Sequence, residues 1–235
     1  MRKKDVIVAL DFPGKGEALG FLDGFPDGER PFVKVGMELF YAAGPDMVRL
    51  LKDRGHRVFL DLKLHDIPTT VRRTMKVLSS LGADMVNLHA AGGSAMMRAA
   101  LEGLGEVEGR PLVIAVTQLT STDAQTLRQE LLIETPMAET VGSYAQNAAR
   151  CGLDGVVCSP LEAAAIHAQC GEDFLTVTPG IRFAEGEAGD QKRILTPEQA
   201  AQAGCDFIVV GRPITRAANP LDAYRRCVRE FGGTP

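Results

Sequence analysis

Short runs of β-branched and other apolar residues recur along the chain, separated by segments with helical periodicity or helix-start signals. The runs are Val6–Asp11, Phe32–Met37, Val58–Leu64, Met85–His89, Leu112–Gln118, Gly155–Ser159, Phe174–Thr178 and Phe207–Gly211. Ser159-Pro160-Leu161-Glu162 and Thr196-Pro197-Glu198-Gln199 each fit a capping box with proline just inside a helix, and Asn219-Pro220 opens the last helix in the same way. Pro68 marks another first helical position. Alternating strands and helices imply a parallel sheet with right-handed crossovers. Eight units share 235 residues, about 29 each, which is the size of a (β/α)8 TIM barrel repeat. An open doubly wound sheet is the rival, but the first βα turn, Asp11-Phe12-Pro13-Gly14-Lys15-Gly16, lacks the GxGxxG fingerprint. Nothing resembling a linker divides the chain, so residues 1–235 read as a single α/β barrel domain.

Composition adds limits rather than direction. Hydrophobic residues make up 45% and charged residues 24%, as in ordinary soluble domains. A net charge of -4 argues against nucleic acid as a partner. The first apolar run, Val6 to Leu10, is far too short for a membrane span or a signal peptide. The five cysteines are odd in number and lack CxxC pairing, which fits reduced thiols in the cytoplasm. No Cys/His cluster has the spacing of a zinc site.

Barrel enzymes carry their chemistry at the C-terminal strand ends. Here those ends hold Asp11, Lys34, the Asp61-Lys63-Asp66 run, His89, Gln118-Leu119-Thr120-Ser121, Pro179-Gly180-Ile181-Arg182 and Gly211-Arg212. Gly180 and Gly211 would let backbone amides approach an anion, with Arg182 and Arg212 supplying charge, a phosphate-type arrangement. The polar, Gly-rich stretch from Phe183 to Gln191 reads as a lid over that ligand. Strand alternation puts Asp61 and Lys63 on one face and Leu62 and Leu64 on the other. Carboxylates beside Lys63 favour its ammonium form, which suits a general acid better than a Schiff-base nucleophile. Asp61 would repel a substrate carboxylate, and departure of CO2 would relieve that repulsion. Of the histidines, His56 falls at the opposite barrel end and His167 on a solvated helix face. His65 and His89 read as packed, hydrogen-bonded neighbours of the site.

The block Asp61-x-Lys63-x-x-Asp66-Ile67-Pro68-x-Thr70 is joined by Leu10-Asp11, Lys34, Leu119-Thr120-Ser121, Pro179-Gly180-Ile181-Arg182, Gln191 and Gly211-Arg212. In that order and over essentially the whole chain, these motifs resemble the orotidine 5′-monophosphate decarboxylase family. Thr69 departs from the asparagine usual in bacterial members, at a position without a catalytic role. The resemblance implies a homodimeric (β/α)8 barrel that acts on a nucleotide and needs neither metal nor organic cofactor. It implies that Asp11 and Lys34 bind the ribose, with Lys34 also near the charged network. Asp61 would face the substrate carboxylate, Lys63 would protonate C6 of the pyrimidine, and Thr120 would bind the pyrimidine edge. Arg182, Gln191, Gly211 and Arg212 would hold the phosphate. Asp66, Ile67 and Thr70 would reach into the neighbouring subunit's site. Two alternatives stay open: a metal-dependent 3-keto-gulonate 6-phosphate decarboxylase or hexulose-phosphate synthase type of barrel, and a non-catalytic nucleotide-binding barrel. The metal-dependent type places a glutamate in strand 2, where this chain has Lys34, with Glu38 beyond the strand end.

Overall fold

The strands alternate strictly between two apolar environments. Val6, Val8, Val33, Val35, Val58, Leu60, Val86 and Leu88 join one core that also takes in the helices. Ile7, Ala9, Phe32, Phe59, Met85, Ile114, Val177, Phe207 and Val209 form a second, separate core. Period-2 alternation with both faces apolar is what a parallel sheet demands when helices cover one side and the sheet closes on the other. The computed structural model describes residues 4–105, 109–185 and 194–232. Its strands are β1 (Asp5–Ala9), β2 (Phe32–Gly36), β3 (Val58–Leu64), β4 (Met85–His89), β5 (Leu112–Val116), β6 (Gly155–Val157), β7 (Leu175–Thr178) and β8 (Phe207–Val210). They pair in sequence order, all parallel, and β1 pairs with β8 to close the barrel.

The helices needed here are α1 (Pro68–Ser79) after β3, α2 (Ala163–Cys170) after β6, α3 (Pro197–Gln202) after β7, and α4 (Arg212–Thr215) and α5 (Pro220–Phe231) after β8. Each expected proline start is present. Thr196 and Gln199 exchange the two bonds of a capping box ahead of α3, at 3.2 and 2.9 Å. Asn219 Oδ1 accepts the Asp222 N–H ahead of α5. Ser159 forms its capping box on a single 3-10 turn, Pro160–Glu162, which precedes α2. Strands 1, 2, 5, 6 and 8 stop one or two residues short of the expected ends. Leu10, Thr117 and Cys158 still donate their N–H groups to Lys34, Val157 and Val177 of the neighbouring strands before the chain turns toward the next helix.

The bottom of the barrel shows a device repeated before three of the strands. Gly82-Ala83-Asp84, Gly152-Leu153-Asp154 and Gly204-Cys205-Asp206 immediately precede β4, β6 and β8. Each glycine has a positive φ (78°, 88° and 82°), which lets the chain leave the preceding helix and turn into the strand. Each aspartate then accepts the backbone N–H of the neighbouring strand: Val58 at 2.7 Å, Val113 at 2.7 Å and Thr176 at 2.8 Å. Their counter-partners are Lys52, Arg110 and His167. His167 is therefore buried against Asp206 and Thr176, at 3.3 Å from each, and the expected solvated face is wrong. The carboxylate at the start of β8 needed a partner inside the fold. His56 sits where expected, before β3, with Nδ1 3.0 Å from the Pro31 carbonyl. Cys151, Cys158, Cys205 and Cys227 are buried, and burial pushes the Cys205 thiol up to about 11.

Candidate active site

Following the inward-facing positions upward, the barrel interior changes from apolar to charged. Phe32 leads to Lys34, Phe59 to Asp61 and Lys63, and Met85 to Asn87 and His89. The apolar layers exclude water from below, and the polar layer opens into a cavity of about 230 Å³. Lys34, Asp61, Lys63, Gln118, Thr120, Ser121 and Pro179 line it, above an apolar floor that includes Phe59, Val177 and Val209.

Charge is concentrated on one side of this cavity. Asp61 is 7% exposed and sits between two ammonium groups. Lys63 Nζ donates to its Oδ1 at 2.7 Å, and Lys34 Nζ lies 3.3 Å from its Oδ2. Lys34 also donates to Asp11 Oδ1 at 3.1 Å. The result is an ordered chain, Asp11–Lys34–Asp61–Lys63, alternating in sign across strands β1 to β3. Burial alone would raise the Asp61 carboxyl, but the Lys34 and Lys63 ammoniums outweigh it and hold the group below the usual carboxylate range. Burial alone would lower Lys34, yet the charges of Asp61 and Asp11 win and raise it. Both groups are thus ionised at neutral pH. Gly36 makes room for this pair, since a Cβ there would lie 3.0 Å from Lys34 Nζ.

Lys63 reaches its place through an irregular backbone. Its φ is +50°, a region costly for residues with a Cβ. Between Leu60 and Leu64 the register of β3 against β4 shifts: Leu60 pairs with Val86 and Leu64 with Leu88, so four residues advance against two. Regular alternation had placed Asp61 and Lys63 on one face. They do share the cavity, but a bulge brings them there. Leu62 and Leu64 pack toward the helices, as expected.

Two further groups follow β7 and β8 at the same barrel end, outside the residues that line the cavity. Arg182, after β7, donates to its neighbour's Ile181 carbonyl at 2.7 Å. Burial and the nearby charge of Arg212 both lower its pKa, the signature of two guanidiniums gathered at one spot. Gly180 has a φ of +85°. Gly211 differs: its φ is negative, and a Cβ there would make only ordinary contacts, 3.5 Å from Ala9 Cβ and Asp11 Oδ2. It brings the start of α4 beside Asp11. Gln191 lies outside the described residues, as does most of the stretch read as a lid. Its first part is anchored, with Arg226 over the Phe183 ring at 4.2 Å and paired to Glu185.

Asp66, Ile67 and Thr70 do not line the cavity either. Asp66, Ile67 and Thr70 are exposed on the rim at the start of α1, and Asp66 Oδ1 accepts the Ile67 N–H at 2.6 Å. His65 is exposed rather than packed; its ring lies 5.5 Å from that of half-buried His89. Burial, His65 and Lys63 together lower the pKa of His89. Sequence reasoning missed Asn87, whose carboxamide contacts both Asp61 and the Lys63 backbone. The alternation Met85-Asn87-His89 on β4 carried the signal.

Among the described residues, no helix is long and apolar enough to cross a membrane. The profile of the family described as orotidine 5′-phosphate decarboxylase / HUMPS matches residues 4–227. The chain is 59% identical over 231 residues to an orotidine 5′-phosphate decarboxylase of Bacillus caldolyticus, covering 97% of this chain and 94% of the relative. It is 55% identical to that of Bacillus cytotoxicus, with 98% of each chain covered. The fold is similar to a crystal structure of orotidine 5′-phosphate decarboxylase from Lactobacillus acidophilus, with a TM-score of 0.88 and 45% identity over 98% of this chain and all of that one. A structure of an uncharacterized conserved protein from Geobacillus kaustophilus gives a TM-score of 0.85 at 53% identity, over 97% of this chain and all of that one. The closed barrel, its charged strand ends and these matches along nearly its full length place the chain in the orotidine 5′-phosphate decarboxylase family.

Proposed function

We propose that this enzyme converts orotidine 5′-monophosphate to UMP and CO2 in pyrimidine biosynthesis, with Lys63 as the proton donor. The observation that carries the assignment of roles is the Lys34–Asp61–Lys63 array, alternating in sign, at the wall of the cavity. The bond from C6 of the pyrimidine to its carboxylate breaks, CO2 leaves, and the electron pair stays on C6. The Lys63 ammonium stabilises that pair electrostatically and then gives its proton to C6. The amine regains a proton from solvent after UMP departs. Asp61 has two roles: it faces the substrate carboxylate, whose repulsion is relieved as CO2 leaves, and it anchors Lys63. A vinyl-type carbanion without an electron sink asks for the upper part of the roughly 8–23 kcal/mol that enzymes remove from barriers.

Lys34 and Asp11 bind the ribose hydroxyls, Thr120 and Pro179 flank the pyrimidine, and Arg182, Gln191, Gly211 and Arg212 take the phosphate. Phosphate binding far from C6 then supplies energy for closing the site. The working form is a cytoplasmic homodimer in which Asp66, Ile67 and Thr70 of each subunit complete the other's cavity; their exposure on the rim supports this. Lys63→Ala is expected to lower turnover of orotidine 5′-monophosphate by more than about 100-fold while UMP binding, measured by calorimetry, is retained. Near-normal turnover would remove Lys63 from its role.

A further inference from the structure

Asn87 is 1% exposed and stands behind the cavity wall, on the inward face of β4. Its carboxamide is used at both ends. The oxygen accepts the backbone N–H of Lys63 at 2.8 Å, and the nitrogen donates to Asp61 Oδ1 at 2.6 Å. That same Oδ1 accepts from Lys63 Nζ at 2.7 Å. One buried side chain thus ties together the backbone of the lysine and the carboxylate that anchors its ammonium. Only one orientation of the amide serves both partners.

The backbone held in this way needs holding. A left-handed conformation is costly for a residue with a Cβ such as Lys63 and persists only where the surroundings over-determine it. The bulge in β3 takes the Lys63 N–H out of register with β4, and Asn87 supplies the acceptor that the ladder no longer does. We propose that Asn87 is a positioning residue for the decarboxylation: it fixes Lys63 in its left-handed bulge and orients Asp61, so that the ammonium is aimed into the cavity. This rests on the function proposed above. Other side chains of similar size fail on chemistry. Leucine would leave the Lys63 N–H and one Asp61 lone pair without partners. A carboxylate could accept the N–H but would set a like charge against Asp61.

The second failure makes the role testable by pH. In Asn87→Asp, the introduced carboxyl faces Asp61 and Lys63 from β3, with Lys34 of β2 on the far side of Asp61 and His89, backed by His65, two residues along β4. Ionised, it repels Asp61. Protonated, its hydroxyl donates to Asp61 and its carbonyl accepts the Lys63 N–H, as the carboxamide does. We would measure kcat for orotidine 5′-monophosphate per UMP-binding site, so that unfolded protein drops out, from about pH 5 to 8. Wild type run in parallel removes contributions from His65 and His89. Asn87→Leu should lower kcat about 100-fold with the UMP dissociation constant little changed. The Asn87→Asp deficit should be greatest at high pH and shrink as the pH falls. Wild-type kcat in both variants, or a deficit in Asn87→Asp independent of pH, would overturn the inference. Wild-type protein that binds UMP but does not turn over orotidine 5′-monophosphate would overturn the proposed function instead.

Discussion

Asp61 is the residue on which the site's electrostatics turn, because its carboxylate is shared by two buried or half-buried ammoniums. Its folded pKa lies below the ordinary 3.8. A depressed carboxylate contributes stability that is fully present above the ordinary value and is lost as pH falls through the lower folded value. The raised Lys34 contributes in the opposite sense, present below its ordinary 10.5 and lost as pH rises through the higher folded value. Wild type should therefore lose stability below pH 3.8, and Asp61→Asn should lose less over that window. Urea midpoints at successive pH values check this; parallel acid limbs would contradict it. Residue identities at the site were legible because charged side chains at apolar strand ends have no structural excuse. The left-handed Lys63 and its tie to Asn87 were not, since a bulge arises from pairing with β4 and alternation alone predicts a flat pleat.

At the scale of elements, the Gly-x-Asp steps lock β4, β6 and β8 to β3, β5 and β7 respectively. They were present in the sequence as ordinary loop signals. Their role emerges only when a parallel strand brings an N–H to the carboxylate. His167 was misjudged for the same reason, its partner lying 39 positions away at Asp206. Asp206 is 1% exposed, so Asp206→Ala leaves the Thr176 N–H and His167 with a lost acceptor inside the fold. Removing a buried charged partner of this kind costs about 3 kcal/mol, which for a chain of this size lowers Tm by roughly 6–12 °C. Because the network lies at the barrel bottom, kcat per folded site should hold. Calorimetric melting with parallel assays checks both; an unchanged Tm would contradict the locking role. Strand positions, by contrast, followed from hydrophobic runs, and only their ends shifted, by one or two residues.

The whole barrel matters because its parallel pairing gathers Asp11, just past β1, with Lys34, Asp61 and Asn87 of β2, β3 and β4 at one side of the cavity. One chain leaves Asp66 and Thr70 on the rim, beside Ile67 at 66% exposure. No periodicity in the sequence could say what covers them; only the family resemblance spoke to it. If each site draws Lys63 from one subunit and Asp66 from the other, mixing Lys63→Ala with Asp66→Ala protein should restore about a quarter of wild-type activity by random exchange. Inactive mixtures with heterodimers proven by mass would contradict the shared site. The most direct measurement is CO2 release from orotidine 5′-monophosphate by purified protein stripped of metal with EDTA. The account predicts stoichiometric CO2 and UMP, undiminished by the chelator. Absence of release, or release that returns only with an added divalent cation, would contradict it.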